Sequence, residues 1–225
     1  MNNEFIVGLT YADRLRMASE ARQQALALAF DSELALLTSL MGPMSDGPEW
    51  PAAAAWLAAR RHGNACIISD GLSDPFVERD RPETGLGVEV YLESPDVNLP
   101  VDAPLTALAD TWLFPTLAEI SHTLAGYARL CEKLLAGELL SLEFNIEHIK
   151  DGRGRVGALL NLPGAKAEPL NLPGGPVRLV SATLLTPGEL RFLRGKGDHG
   201  RQELAAQLSA AGYGHVSLLN RPSLY

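Results

Sequence analysis

Apolar side chains recur at every second position along residues 85–93. The apolar set is Leu86, Val88, Val90 and Leu92, and the alternate set is Gly87, Glu89, Tyr91 and Glu93. A period of two residues is typical of a strand that buries one face and presents the other to solvent. The pattern therefore predicts a half-buried β-strand here.

A second strand is predicted just before it. Residues 65–68 are small or apolar and lead into Ser69, after which Asp70-Gly71 and Asp74-Pro75 interrupt the pattern. Glycine tolerates the positive φ of a turn, and a residue before proline is disfavoured in helical space. Residues 64–93 are thus predicted to form two paired strands joined by a long acidic loop.

Helical composition dominates residues 10–40, which are rich in Ala, Leu, Arg, Glu and Gln. The next eleven residues contain three prolines and two glycines, which is typical of irregular structure. A short alanine-rich helix is predicted over residues 52–60, with Gly63 as its C-cap. We expect residues 1–40 to form a helical extension packed on a main domain at residues 41–225.

A longer helix is predicted in the segment around Pro115 to Gly137, because apolar residues recur there in alternating steps of three and four. Pro115 is expected in its first turn, where proline is tolerated, or at a kink. Gly137 is its expected end. The apolar stripe consists of Leu117, Ile120, Leu124, Tyr127, Cys131 and Leu134.

Three further strands are predicted at residues 139–146, 155–162 and 177–185. Asp151-Gly-Arg-Gly154 is a hairpin-type turn signal between the first two, and residues 163–176 are rich in Pro and Gly, as in a loop. Together with the first strand pair, these segments indicate an α+β fold with a central sheet on which the helices lie.

The C-terminal part begins with a helix start signal at Thr186-Pro-Gly-Glu189. The threonine hydroxyl can cap the third helical amide while the glutamate reaches back, and proline suits the first helical position. We predict a helix to residue 194, a break at residues 196–200 and a second helix over residues 202–211.

Composition describes an ordinary globular protein of 225 residues, 46% of them apolar. The formal charge of −8 disfavours non-specific binding to nucleic acid or anionic membranes and permits a basic partner. We expect no membrane-spanning helix and no secretory leader. Cys66 and Cys131 lie in apolar contexts, so we expect buried thiols in a reducing, cytoplasmic environment.

Candidate chemistry is sparse. The five histidines and two cysteines lack metal-ligand spacing, and we expect neither a metal site nor a cofactor. The carboxylates of residues 70–80 lack the spacing of a calcium loop, so a solvated acidic loop is the better interpretation. Ser69 and Ser73 lie beside aspartates but outside a nucleophile-elbow motif. Arg221 is expected in a surface ion pair.

Seven short motifs resemble the bacterial branch of the Suppressor of fused family. They occur in the family's order along residues 41–225. The two longest are Ser69-Asp-Gly-Leu-Ser-Asp-Pro-Phe76 and Gly85-Leu-Gly-Val-Glu-Val-Tyr-Leu92. The others are Gly47-Pro-Glu-Trp-Pro51, Gly157-Ala-Leu-Leu160, Leu185-Thr-Pro-Gly-Glu-Leu190, Arg201-Gln-Glu-Leu-Ala205 and Ser217-Leu-Leu-Asn-Arg-Pro-Ser223.

The resemblance implies a mixed, mainly antiparallel sheet flanked by helices, and a function in binding protein rather than in catalysis. Bacterial members look like immunity proteins that inhibit toxins of polymorphic toxin systems or other effectors. An acidic chain suits a basic toxin, since complementary charge speeds association.

The binding surface is expected on long polar loops at the ends of the strands, where recognition usually lies. Two alternatives remain open: a hydrolase-like or metal-assisted enzyme with its site on the loop at residues 70–80, and a housekeeping adaptor. The candidate binding residues are Asp74, Phe76, Glu78, Arg79, Trp50 and Arg221.

Overall fold

The computed structural model describes residues 9–38, 56–77, 83–146 and 156–225. Within these described residues, a 3₁₀ helix at Leu105–Asp110 precedes the second of five α-helices. The helices are α1 (Tyr11–Phe30), α2 (Leu113–Gly126), α3 (Ala128–Leu135), α4 (Pro187–Leu193) and α5 (Gly197–Ala210). The strands are β1 (Ala35–Leu37), β2 (Trp56–Arg61), β3 (Asn64–Ser69), β4 (Val88–Ser94), β5 (Leu140–Phe144), β6 (Val156–Leu160), β7 (Leu170–Leu172) and β8 (Gly175–Leu185).

The strands form one mixed sheet in the order β1-β2-β3-β4-β8-β6-β5, and β7 pairs with the start of β8. Neighbouring strands are antiparallel except β4 and β8, which run parallel with Val90 opposite Val180. The predicted α+β class with a mainly antiparallel sheet flanked by helices is confirmed.

Helices cover both faces of this sheet. On one face, α2 and α3 pack against residues such as Ile67, Val90 and Val180. The other face is covered by α1 near β2 and β7, and by α4 and α5 near β5, β6 and β8. The molecule therefore has three layers, with the sheet in the middle.

The predicted strand pair exists as β3 and β4, with Ile67 opposite Leu92. The prediction that one face of the second strand meets solvent is wrong, because all seven residues of β4 are buried. Strands covered on both sides bury both sets of side chains. Glu89 and Glu93 are accommodated there by ion pairs instead of by water.

The predicted helix at residues 52–60 is wrong for Trp56 to Arg60, which lie in strand β2, while residues 52–55 fall outside the described part of the chain. Alternate residues of β2 pack into opposite cores, and this two-sided burial overrides the helical preference of alanine. Gly63 is not a helix cap. His62 and Gly63, with φ of 50° and 87°, form the tight turn that joins β2 to β3.

Helix α1 starts as predicted, with the Thr10 hydroxyl accepting from the Asp13 amide, but it ends at Phe30 rather than near residue 40. Asp31 adopts a left-handed conformation, and Leu37 then belongs to the edge strand β1. Leu26 and Phe30 pack against the sheet. The predicted domain boundary at residue 40 lies outside the described residues, so that division stays a prediction.

The long predicted helix is divided into α2 and α3 at Tyr127, whose φ of −133° and ψ of 77° are not helical. Tyr127 is 66% exposed, whereas the other five residues of the predicted stripe are buried. Pro115 lies in the first turn of α2, as expected, where its missing amide hydrogen leaves no helical bond unmade.

The three later strands are confirmed as β5, β6 and β8, although the loop predicted at residues 163–176 also contains strand β7. The turn predicted at residues 151–154 lies outside the described residues. The capping box at Thr186 is confirmed in full. Helix α5 begins at Gly197, inside the segment predicted as a break.

Candidate functional site

Arg22 of α1 projects into the loop that follows β3 and meets three carboxylates there. Its Nε atom donates to Asp70 and lies 3.5 Å from Glu89 Oε1, and its Nη1 atom lies 2.8 Å from Asp74 Oδ1. The side chains of Arg22, Asp70 and Glu89 are at most 1% exposed, and that of Asp74 is 21% exposed. We call these four residues the Arg22 cluster.

Glu89 shapes the loop through hydrogen bonds that converge on its carboxylate. Its Oε1 atom accepts from the Gly71 amide at 3.1 Å, from the Ser73 amide at 2.9 Å and from the Ser73 hydroxyl at 2.6 Å. Its Oε2 atom accepts from the Ser69 hydroxyl, which in turn accepts from the Val90 amide at 2.9 Å. The motif at residues 69–76 is thus wrapped around a strand glutamate.

Helix α1 is attached to the same loop by further polar contacts. Gln23 Nε2 donates to Asp70 Oδ2 at 2.7 Å, and Arg22 Nη1 donates to the Ser73 hydroxyl at 3.3 Å. Asp70 therefore accepts from two successive residues of α1. The expected solvated acidic loop is wrong for Asp70, which is buried because it serves this interface.

The Arg22 cluster contains more negative than positive charge. Burial raises the pKa of Glu89, and the nearby Asp70 raises it further, while Arg22 acts in the opposite direction. Burial also raises the pKa of Asp74, although the Arg22 guanidinium lowers it. One guanidinium shared by three carboxylates leaves two negative charges in excess when all are ionised, and one if Glu89 is protonated.

A groove lies beside the cluster, between α1 and the loop that follows β7; we call it the α1–β7 groove. It encloses a cavity of ≈ 50 Å³. Polar walls come from Arg14, Ser73, Glu83 and Thr84. The apolar walls are Leu9, Met17, Ala18, Pro75, Leu172 and Pro173.

Two of the predicted binding residues meet at this place. Asp74 lies between the groove residues Ser73 and Pro75, and it belongs to the Arg22 cluster. Phe76 follows on the same loop, is 39% exposed and donates its amide to Glu83 Oε1 at 3.2 Å. Trp50, Glu78 and Arg79 lie outside the described residues, so the structure says nothing of their position.

Arg221 lies elsewhere, far from solvent. Its guanidinium makes a two-pronged ion pair with Glu189 of α4 and donates to the Leu184 carbonyl at 3.1 Å. The side chains of Arg221 and Glu189 are 1% and 0% exposed, so the expected surface ion pair is wrong. A role for Arg221 in partner binding stays a prediction, and its buried position does not favour it.

The sequence reading missed Arg22 and Glu89, although a signal for each was present. Arg22 lies four and eight residues before Leu26 and Phe30, which places it on the buried face of α1. A charged residue in phase with an apolar face indicates a buried ion pair. Glu89 shares its strand face with Tyr91, an aromatic residue that is itself 1% exposed.

Nucleophilic groups near the cluster are engaged or shielded. The hydroxyls of Ser69 and Ser73 both donate to Glu89. Cys66 and Cys131 are free and buried, as predicted, and burial raises the pKa of Cys131 to about 12. Thiolates are the reactive form of cysteine, so this thiol is inert near neutral pH. In the described part of the chain, no group of three or more His, Cys, Asp or Glu side chains is arranged so that it could hold a metal ion.

None of the described helices is both long enough and apolar enough to cross a bilayer.

Comparison with known proteins gives structural matches only. No family model and no curated protein matches the sequence. A Suppressor of fused homologue from Neisseria gonorrhoeae superposes with a TM-score of 0.56 at 16% identity, over 92% of this chain and 96% of that one.

Two further solved structures have the same fold. The Sufu–Fu complex matches with a TM-score of 0.54 at 15% identity, over 92% of this chain and 91% of that one. Drosophila Suppressor of Fused matches at 0.52 and 15% identity; the match covers 92% of this chain but 51% of the Drosophila protein. At such identities the likeness concerns the architecture, and the chain has a Suppressor of fused-like fold.

Proposed function

We propose that this chain is a non-enzymatic protein-binding domain whose partner is a basic protein. The observation that carries the proposal is the excess of negative charge in the Arg22 cluster. The partly exposed carboxylate of that cluster, Asp74, lies beside an apolar groove. A surface that joins negative charge to apolar area is complementary to a basic protein partner.

Other features support the same function. The formal charge of −8 favours association with cations over the whole surface. The polar groups of the loop at residues 69–74 are engaged in hydrogen bonds and ion pairs, which suits a recognition scaffold better than a hydrolase. The related fold occurs in the Sufu–Fu complex, where it has a protein partner.

The specific role we propose is that of an immunity-type inhibitor, which binds a bacterial toxin or effector and blocks it in the cytoplasm. Two free buried thiols are typical of a reducing compartment. An acidic inhibitor gains a fast association rate with a basic toxin through electrostatic steering, and that rate falls as salt screens the charges.

The proposal is tested by isolating the partner with tagged full-length chain from its native cells and measuring the affinity of the purified pair. We expect a partner of basic isoelectric point, an association rate that falls steeply between 50 and 500 mM salt, and rescue of growth when the partner is expressed together with this chain. Asp74→Asn should slow association, whereas the matched change Asp102→Asn, at an exposed residue elsewhere, should not.

The outcomes separate the parts of the proposal. A partner that binds tightly without being toxic would refute the inhibitor role and leave the binding role intact. An acidic partner, or association that is insensitive to salt, would refute the charge argument. Failure to recover any partner from native cells, together with a turnover abolished by Asp70→Asn in a folded protein, would favour the enzyme alternative.

A further inference from the structure

We infer that the α1–β7 groove is the docking site for the partner, and that it receives one apolar side chain flanked by a lysine or arginine. This inference rests on the proposed function and specifies the partner surface that the domain recognises. It follows from the size of the cavity, the apolar character of its walls, the position of Asp74 and the fixed geometry of the loops around it.

The cavity matches a single aliphatic side chain. Its volume of ≈ 50 Å³, at about 25–30 Å³ per group, accommodates roughly two methyl-sized groups, such as the branched end of a leucine side chain. Met17 borders it with 39% of its surface exposed, and methionine adapts its shape to different apolar guests. A leucine or isoleucine of the partner would remove this apolar surface from water.

Charge around the groove favours a cation beside that apolar side chain. Within the Arg22 cluster, three carboxylates share one guanidinium, that of Arg22. Asp74 is the carboxylate of the cluster that solvent reaches. A lysine or arginine placed at Asp74 would therefore meet uncompensated negative charge without separating an existing neutral pair.

Two exposed apolar residues come directly after the groove residue Pro75 on the same loop. Phe76 and Val77 follow on the loop and are 39% and 60% exposed. A segment that places its apolar anchor in the cavity and its cation at Asp74 can continue along these two side chains. The arrangement of an apolar centre beside a charged edge is typical of protein interfaces.

The walls of the groove are held in place before any partner arrives. The Phe76 amide is bound to Glu83, and the Thr84 hydroxyl donates to the Pro176 carbonyl at 3.4 Å. Gly174 packs so closely on Glu83 that a Cβ atom there would lie 2.7 Å from the Glu83 carbonyl oxygen. A preformed site loses little conformational entropy on binding, which favours recognition of a short segment.

A methyl-labelled sample provides the test. The chain contains four methionines, of which Met17 borders the groove, so ¹³C-methyl-methionine labelling gives a reporter at this site. The probes are two peptides, Gly-Arg-Leu-Arg-Gly and its charge-reversed counterpart Gly-Glu-Leu-Glu-Gly. We expect the basic peptide to shift the Met17 methyl signal in a saturable manner, more weakly at high salt, and the acidic peptide to leave it unchanged.

Variants of one helix provide the matched control. Ala18→Leu fills the cavity from α1 and should weaken both the peptide and the native partner at least tenfold. Ala27→Leu makes the same change nine residues further on, half a turn round the helix, and should leave both affinities unchanged. Equal unfolding midpoints for the two variants would show that both are folded.

The result separates the groove from the general function. If the native partner binds Ala18→Leu as tightly as wild type, or if the basic peptide at 1 mM leaves the Met17 methyl signal unshifted, the groove is not the docking site. The binding function is then still supported by the measured affinity for the native partner. Equal binding of both peptides would also overturn the inference, because it would remove the preference for a cation.

Discussion

The buried arginines Arg22 and Arg221 meet their carboxylates in different ratios. Among the described carboxylates, Arg221 pairs with Glu189 alone, in a two-pronged pair whose charges cancel. The backbone amides of Thr186 and Leu224 also donate to Glu189. Arg22 faces three carboxylates, one of which reaches solvent. The first arrangement is neutral and fastens the C-terminal segment to α4, whereas the second leaves negative charge in excess.

The largest expected effect is the loss of Arg22. Arg22→Met would leave three carboxylates without their cation, two of them fully buried, so the free energy of unfolding should fall by about 3–5 kcal/mol. Arg221→Met uncovers one carboxylate and should cost less. Urea unfolding at pH 7 measures both. Arg16→Met, at an exposed pair with Glu20 on the same helix, should change stability by less than about 1 kcal/mol.

Replacing one carboxylate in addition to the arginine should recover different fractions of the lost stability in the two regions. Glu189→Gln combined with Arg221→Met removes both charges of a balanced pair, and we expect it to recover about half of the lost stability or more. Asp70→Asn combined with Arg22→Met leaves Asp74 and Glu89 still unpaired, so its recovery should be smaller. Equal recovery in the two double variants would contradict the difference between the regions.

The two regions should also differ in how the free energy of unfolding depends on pH. Burial raises the pKa of Glu89 and Asp74, so the folded chain binds protons at a pH where the unfolded chain does not. Stability should therefore increase as pH falls from neutral towards the ordinary pKa of these carboxyls, and decrease as pH rises through their raised values.

The increase should be smaller in Glu89→Gln, which lacks one of the two groups. It should be the same as in wild type for the double variant Arg221→Met/Glu189→Gln, which leaves no carboxylate uncovered. Unfolding free energies measured between pH 7 and pH 5 test this. Taking the difference between variant and wild type cancels the contribution of the histidines. Parallel curves for wild type and Glu89→Gln would contradict the assignment.

The smallest expected effect on stability comes from Asp74→Asn. Its charge is poorly satisfied in the folded protein, since burial raises its pKa and Arg22 is shared with two other carboxylates. We expect a change in unfolding free energy below about 1 kcal/mol, of either sign. A loss of several kcal/mol would show that Asp74 is a structural residue of the same kind as Glu189.

The parts of the fold that local chemistry determines could be predicted from the sequence. The capping box at Thr186 and the strands β5, β6 and β8 follow from residues close together in the chain. The predictions are wrong where packing against residues distant in the sequence overrides the local conformational preference of the chain. Trp56 and its alanine-rich neighbours become a strand because both faces of β2 are covered, and Tyr127 interrupts an apolar stripe that local spacing makes continuous.

The candidate site was predicted in part. The polar loop after β3 predicts Asp74 and Phe76 as binding residues, and the structure puts both near a groove. Arg22 and the walls of that groove come from α1 and from the segment after β7, about 50 and 100 residues away in sequence. No local pattern joins these segments, since their proximity is a product of the sheet topology.

The parallel pairing of β4 with β8 has a consequence for how the chain reaches its native state. It joins residues 88–92 to residues 178–182, and β8 then supplies the partner edge for β6 as well. Contacts between such distant residues slow folding, because a long loop must close before they form. Until β8 emerges from the ribosome, the apolar strand β4 has an open edge, and newly made chains are exposed to wrong pairing at this strand.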